Sequence, residues 1–143
     1  MKKNTFPFIY SLRVRYSEVD PQGIVFNAHY LTYFDCAITE YYRKIGYNYL
    51  GEVKKKKKDF HVIKTVIEYK KPIVYDQVID CCVKIFKIGN SSLIFDIALF
   101  KKNKNLLLAF GQVVQVYTDQ INKKSVQLPF SLIKKIKGFE KIL

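Results

Sequence analysis

The chain has 143 residues, of which 49% are hydrophobic and 26% are charged, and this globular composition excludes a disordered or fibrous protein. Lysine and arginine number 25 against 12 acidic residues, so the formal net charge is +13 and we expect a polyanionic partner. No apolar stretch approaches the roughly 18 residues that a membrane-spanning helix needs, which excludes an integral membrane segment.

The N-terminus and the cysteines predict a cytoplasmic protein. Pro7 and Arg13 interrupt the first apolar run, so the pattern does not favour a signal peptide. The three cysteines are odd in number and Cys81 and Cys82 are adjacent, which suits small buried hydrophobes, with a redox role as the alternative. Because there is no linker and no internal repeat, we expect a single domain over residues 1–143.

Nucleic acid, anionic lipid and coenzyme A are all polyanions, so the sign of the charge does not choose among them. The basic residues are nearly all lysines, and this disfavours nucleic acid, whose bases are read mainly by arginine. The lysine run from Lys54 to Lys58 is expected to be a solvated loop, with a funnel for a phosphorylated ligand or a nucleic-acid contact as alternatives. We predict no nucleic-acid partner.

The first predicted element is a strand. Residues 8–17 alternate between apolar and polar side chains, which is the period of a half-buried strand. The tetrapeptide Asp20-Pro21-Gln22-Gly23 follows and predicts a turn, because proline fixes one dihedral angle and glycine permits a positive one.

The second predicted element is a helix. Apolar side chains recur at steps of three and four from Tyr30 onwards, which predicts an amphipathic helix from about Ala28 to Ile45. Asn27 is the predicted N-cap, and Gly46 is predicted to end the helix.

The remainder predicts four strands and a short helix. The strands span residues 60–70, 77–88, 91–100 and 106–118, and Gly89-Asn90 is a hairpin signal. Gly111 is a candidate β-bulge. Pro129 is expected to open a helix that runs through Lys137 and closes at Gly138.

This order of elements predicts an α+β fold in which one long central helix is wrapped by a curved antiparallel five-stranded sheet. A single helix covers only one face of the sheet, and apolar residues fall on both faces of the strands. We therefore predict a homo-oligomer, a dimer or a tetramer of dimers, that buries the second face.

Candidate catalytic groups are few. There is no Gly-x-Ser-x-Gly motif and no phosphate loop, and His29 and His61 lack metal-ligand spacing, so no metal site is predicted. Glu18 and Asp20 precede the glycine turn and the predicted helix start. A helix start presents unpaired N–H groups that polarise a carbonyl, and a nearby carboxylate can attack that carbonyl or deprotonate a water.

Gly23 would let the backbone approach a substrate closely. Asp20 has a simpler alternative role, since an aspartate before proline often only caps a turn.

The segment from Tyr16 to Leu31, YSEVDPQGIVFNAHYL, resembles the signature of the hotdog-fold thioesterases. It is similar in particular to the 4-hydroxybenzoyl-CoA thioesterase group and to the bacterial short-chain acyl-CoA thioesterases. The similarity continues into the helix through residues 33–40 and extends more weakly over the whole chain.

The resemblance implies an acyl-CoA thioesterase acting on a short-chain or aromatic acyl group. Asp20 would be the nucleophile or general base, and amides near Gly23 and Asn27 would hold the thioester oxygen. The family's sites lie at a dimer interface, usually within a tetramer, and need no metal or redox cofactor. The alternatives are a hotdog module that binds acyl-CoA or acyl carrier protein, and an acyl-carrier-protein thioesterase.

The chain departs from the family pattern at Asn27, at His29 and at Ile38, where the family's helix usually carries an arginine that contributes to substrate or interface contacts. Many short-chain members carry histidine in place of Asn27 and asparagine in place of His29, so Asn27 can donate a hydrogen bond but cannot act as a base. We treat His29 and Tyr30 as candidate substrate-binding residues, each with a packing role as the alternative. Lys84 and Lys87, together with Lys101 and Lys102, are candidates to hold the phosphates of coenzyme A.

Overall fold

The computed structural model describes residues 1–142, which form a five-stranded antiparallel sheet with a long helix on one face. The sheet order is β1-β3-β4-β5-β2, and the strands are β1 (Phe8–Arg13), β2 (Lys58–Tyr69), β3 (Val78–Ile88), β4 (Ser92–Lys101) and β5 (Leu107–Asp119). The helices are α1 (His29–Lys44), α2 (Tyr49–Lys56) and α3 (Phe130–Glu140). The predicted α+β architecture is confirmed. Within residues 1–142 no helix is long and apolar enough to cross a bilayer.

Gly111 brings α1 close to the sheet and is not a bulge. It pairs regularly with Ile97 and Ile67 in the neighbouring strands, so the bulge predicted here is wrong. A Cβ at this position would lie 2.3 Å from the Val66 carbonyl oxygen and 2.6 Å from the Phe34 ring. The glycine therefore provides the space into which the central helix packs.

The N-terminal segment covers part of the second sheet face. Phe6 packs with Cys82 and Phe100 on the side opposite α1, and all three are buried. Lys3 Nζ lies 2.8 Å from a carboxylate oxygen of Asp80, which holds a short 3₁₀ turn against the sheet. This part of the second face is thus covered by the chain itself and needs no partner subunit.

The lysine run predicted as a loop is mostly helical. Asn48 begins α2, and its side-chain oxygen accepts a hydrogen bond from the Gly51 N–H at 3.3 Å. Lysines in the last turn of a helix interact favourably with its dipole. Lys57 adopts the left-handed conformation, with φ 54°, and ends the helix. The prediction failed because a run of lysines carries no apolar period.

Helix α3 also extends further than predicted. Gly138 lies inside the helix, which continues to Glu140 and ends at Lys141, where φ is 57°. The Glu140 carboxylate accepts hydrogen bonds from the Tyr41 hydroxyl and, at 3.0 Å, from the Ile85 N–H. These long-range contacts hold the last turn in place, and no local sequence signal reveals them.

Candidate active site

The connection between β1 and α1 holds Asp20 in a closed turn. The Asp20 N–H donates to the Ile24 carbonyl at 2.9 Å, and the Gly23 N–H donates to the Asp20 carbonyl at 2.9 Å. The Gln22 N–H donates to Asp20 Oδ1 at 2.8 Å. Gly23 has φ 78°, as predicted for this turn. Asp20 Oδ2 accepts no hydrogen bond from residues 1–142, so one carboxylate oxygen is free for chemistry.

The start of α1 differs from the prediction in its cap. The helix begins at His29 after Ala28, and Asn27 makes no side-chain cap. The His29 N–H donates to the Phe26 carbonyl at 2.9 Å, and the Tyr30 N–H to the Asn27 carbonyl at 3.3 Å. These short-range bonds satisfy the first helical amides, so a side-chain cap is not needed.

Two backbone N–H groups at this start remain unused. Within the described part of the chain, the N–H groups of Asn27 and Ala28 donate no hydrogen bond. Gly23 was expected to contribute its amide to an oxyanion site together with Asn27. That amide already donates to the Asp20 carbonyl, so the free donors are those of Asn27 and Ala28.

Two cavities lie beside Asp20. The first, the helix-side cavity, has a volume of about 350 Å³. The second, the tyrosine-side cavity, has a volume of about 440 Å³. Asp20 lines both. The other residues of the helix-side cavity are Ile24, Val25, Phe26, Asn27, Tyr30, Tyr69, Lys70, Lys71 and Pro72. The other residues of the tyrosine-side cavity are Tyr16, Val19, Pro21, Gly23 and Tyr75.

Tyr30 belongs to both the core and the cavity wall, whereas His29 belongs to neither cavity. Tyr30 is buried, and its ring centroid lies 4.8 Å from that of Tyr69, whose hydroxyl donates to the Asn27 carbonyl at 3.3 Å. Burial, with the neighbouring Tyr69, raises the pKa of Tyr30, so its hydroxyl stays neutral at physiological pH. The half-buried His29 packs edge-on against the Phe26 ring at 6.0 Å.

The lysines beside Asp20 are not the ones that the sequence suggested. Lys70 and Lys71 line the helix-side cavity. Lys84 lies on the opposite sheet face, with Nζ 4.9 Å from the centroid of the Phe6 ring, and Lys87 is exposed on the same strand. Neither of the latter lines either cavity at Asp20.

A long-range contact explains why sequence reasoning missed Lys70 and Lys71. The Val25 N–H donates to the Ile73 carbonyl at 2.7 Å, and Ile24 forms a β-bridge with Val74. The segment after β2 is thereby joined to the Asp20 turn. The only local signal was the position of the two lysines, at a strand end and before a proline.

The rest of the described chain contains another cavity but no cluster of metal-ligating side chains. A cavity of about 400 Å³ lies between α1 and α2, where the Tyr42 hydroxyl donates to Oε1 of the buried Gln115 at 2.9 Å. It contains none of the predicted site residues. No group of three His, Cys, Asp or Glu side chains in residues 1–142 could hold a metal ion.

The fold and the site together define a hotdog domain with a carboxylate beside the start of its central helix. The family model described as "Thioesterase superfamily" matches residues 22–108, beginning two residues after Asp20. The chain belongs to this superfamily, which confirms the predicted class of enzyme, a thioester hydrolase.

Individual relatives cover between 77% and 95% of this chain. A putative esterase of Aquifex aeolicus is 31% identical over 77% of this chain and 91% of its own length. The acyl-CoA thioester hydrolase YbgC of Escherichia coli is 28% identical over 94% of this chain and 98% of its own. A thioesterase of Thermus thermophilus, crystallised with coenzyme A and zinc, is 25% identical with a TM-score of 0.81, covering 95% of this chain and 96% of that one.

Proposed function

We propose that this enzyme hydrolyses coenzyme A thioesters of short-chain or aromatic acids and that Asp20 is its catalytic carboxylate. The observation that carries the proposal is that Asp20 and Asn27 line the same cavity, while the N–H groups of Asn27 and the following Ala28 donate no hydrogen bond within residues 1–142. The relatives named as acyl-CoA thioester hydrolases support the choice of substrate.

In the proposed reaction, the thioester oxygen accepts hydrogen bonds from the N–H groups of Asn27 and Ala28, which stabilise the negative charge that develops on it. The Asp20 carboxylate either attacks the carbonyl carbon, giving an anhydride that water then cleaves, or deprotonates a water that attacks directly. Both routes add one water across the C–S bond and release a carboxylic acid and the coenzyme A thiol.

The two routes can be separated by an isotope experiment. A single turnover in ¹⁸O-water with enzyme in excess puts ¹⁸O into Asp20 when water opens the anhydride at the Asp20 carbonyl. General-base catalysis, like water attack at the acyl carbonyl of the anhydride, puts the label into the acid product alone, so it is label in Asp20 that identifies the covalent route. Mass spectrometry of the peptide that contains Asp20 reads the difference.

The phosphate end of coenzyme A is proposed to lie at Lys70 and Lys71. Both line the helix-side cavity, and a lysine ammonium binds phosphate as a point charge. Lys70 also pairs with Glu68 at 2.9 Å on the surface, a bond that a phosphate can replace at little cost.

Thiol release from a panel of thioesters tests the proposal. The panel contains short-chain, long-chain, benzoyl and hydroxybenzoyl coenzyme A, with an acyl carrier protein thioester as a separate arm. We expect Asp20→Asn to lower kcat at least about 100-fold, because it removes the reacting carboxylate while keeping an oxygen for the Gln22 N–H.

The matched control is Asp119→Asn. Asp119 also accepts a backbone N–H two residues on, that of Ile121 at 2.8 Å, but it lies at the end of β5 and lines neither cavity at Asp20. The control should retain full activity. Near wild-type turnover by Asp20→Asn would remove Asp20 from the mechanism.

The enzyme is further proposed to be a homo-oligomer that pairs through β2. This strand is an edge of the sheet, spans Lys58–Tyr69 and exposes Val62, Ile63 and Val66. A long edge strand with apolar side chains is a template for pairing with another chain. A second copy related by a two-fold axis would extend the sheet across this edge.

A cytoplasmic location is proposed as well. Cys36, Cys81 and Cys82 are all free thiols, and the two adjacent ones are buried. Free thiols suit a reducing compartment.

A further inference from the structure

Glu18 lies two residues before Asp20 and is buried, with 5% of its surface exposed. Its Oε1 accepts the Arg15 N–H at 2.8 Å and the Tyr33 hydroxyl at 2.9 Å, and its Oε2 accepts Arg15 Nε at 3.1 Å. Burial alone would raise the pKa of Glu18, but the hydrogen bonds from Arg15 and Tyr33 hold it below its usual value. The side chain is therefore a fixed carboxylate at neutral pH.

The backbone of Glu18 closes the turn that carries Asp20. Its carbonyl accepts the Phe26 N–H at 2.9 Å, and the next pair inward, Val19 and Val25, forms a β-bridge. One arm of this closed loop leads from Glu18 to Asp20, and the other leads from Phe26 directly into the free amides at the start of α1.

Tyr33 connects this loop to the helix. It lies on α1 one turn after His29 and is buried, and its hydroxyl reaches the Glu18 carboxylate. The segment that carries Asp20 is thus joined to the start of α1 twice. One connection is the backbone hydrogen bond from the Phe26 N–H to the Glu18 carbonyl, and the other is the hydrogen bond from the Tyr33 hydroxyl to the Glu18 carboxylate.

We propose that Glu18 and Tyr33 are positioning residues that hold the Asp20 carboxylate at a fixed separation from the N–H groups of Asn27 and Ala28. The inference rests on the proposed role of Asp20. An ångström-scale displacement of a reacting group can cost about 100-fold in rate. Loss of one of the two connections is therefore expected to lower kcat more than it weakens substrate binding.

Two tyrosines of α1 allow a matched pair of variants to test the proposal. Tyr33→Phe and Tyr41→Phe each remove one hydroxyl that donates to a carboxylate, that of the buried Glu18 or of the partly buried Glu140, and both leave a buried ring on α1. We expect similar decreases in Tm. We expect Tyr33→Phe alone to lower kcat about tenfold or more, with KM within about twofold.

A second readout needs no activity. Hydrogen exchange of the Asp20 and Gly23 N–H groups, both bonded within the turn, should be about tenfold faster or more in Tyr33→Phe and unchanged in Tyr41→Phe. If the wild type releases no thiol from any thioester, the proposed function fails while the exchange rates still test the connection.

Three results would overturn the inference. These are wild-type kcat in Tyr33→Phe, equal losses of kcat in the two variants, and turn exchange rates that Tyr33→Phe leaves unchanged. Glu18→Gln is the supporting variant. It keeps an acceptor for Tyr33 but turns an NH₂ group toward the Arg15 guanidinium, so it should lower kcat at least as much as Tyr33→Phe.

Discussion

At the scale of single residues, the candidate oxyanion site depends on the backbone more than on side chains. The Asn27 side chain is exposed and makes no hydrogen bond with residues 1–142, while the backbone N–H groups of Asn27 and Ala28 are free. We therefore expect Asn27→Ala to keep kcat within about threefold, measured as steady-state thiol release.

The companion variant is His29→Ala, which should also retain activity because His29 lines neither cavity at Asp20. A loss of about 100-fold or more in Asn27→Ala would assign the oxygen to the side-chain amide instead, since removal of one such donor costs about 10²–10³ in kcat. The exchange of histidine and asparagine relative to the family pattern would then have a direct chemical consequence.

At the scale of elements, the packing of α1 on β5 depends on Gly111. A Cβ there would overlap the Val66 carbonyl oxygen and the Phe34 ring, and a backbone oxygen in a paired strand cannot move away easily. We expect Gly111→Ala to lower the free energy of unfolding by about 1–3 kcal/mol, the usual cost of overpacking, as measured by urea denaturation.

Gly138→Ala provides the opposite case for the same substitution. A Cβ at Gly138 meets nothing within 4 Å, and the residue lies inside α3. Alanine in a helix interior is favoured over glycine by about 1 kcal/mol, so this variant should be more stable than the wild type. A Gly111→Ala protein as stable as the wild type would show that the central helix α1 can shift without a loss of stability.

At the scale of the whole molecule, the free edge of β2 predicts assembly. Ile63 is 64% exposed on this strand. We expect Ile63→Lys to convert the proposed oligomer to a monomer, because a charge at a pairing edge opposes association. Size-exclusion chromatography with light scattering measures the mass.

Ile121→Lys is the control for that change. Ile121 is 75% exposed but lies in the turn after β5, so the same gain of charge should leave the mass unaltered. A wild-type protein that runs as a monomer would contradict the prediction outright.

Sequence reasoning predicted the turn and the helix start, whose signals are local, and missed contacts between distant segments. Asp20, Gly23 and Asn27 lie within eight consecutive residues, so a turn followed by a helix start was enough to bring them together. Lys70 and Lys71 reach the same cavity as Asp20 because the segment after β2 pairs with the Asp20 turn. A local sequence pattern carries no information about pairing between such distant segments. Lysine is also so abundant here that residue type alone could not distinguish these two from Lys84 or Lys87.

The presence of two cavities at Asp20 has a consequence for the end of the proposed catalytic cycle. If Asp20 cleaves the thioester as proposed, and the acyl and coenzyme A parts of the substrate occupy different cavities, the two products are left in different cavities. The acid and the thiol then have separate exits, and neither must wait for the other to depart. Each product alone would inhibit the enzyme, and the order in which the two leave would be random.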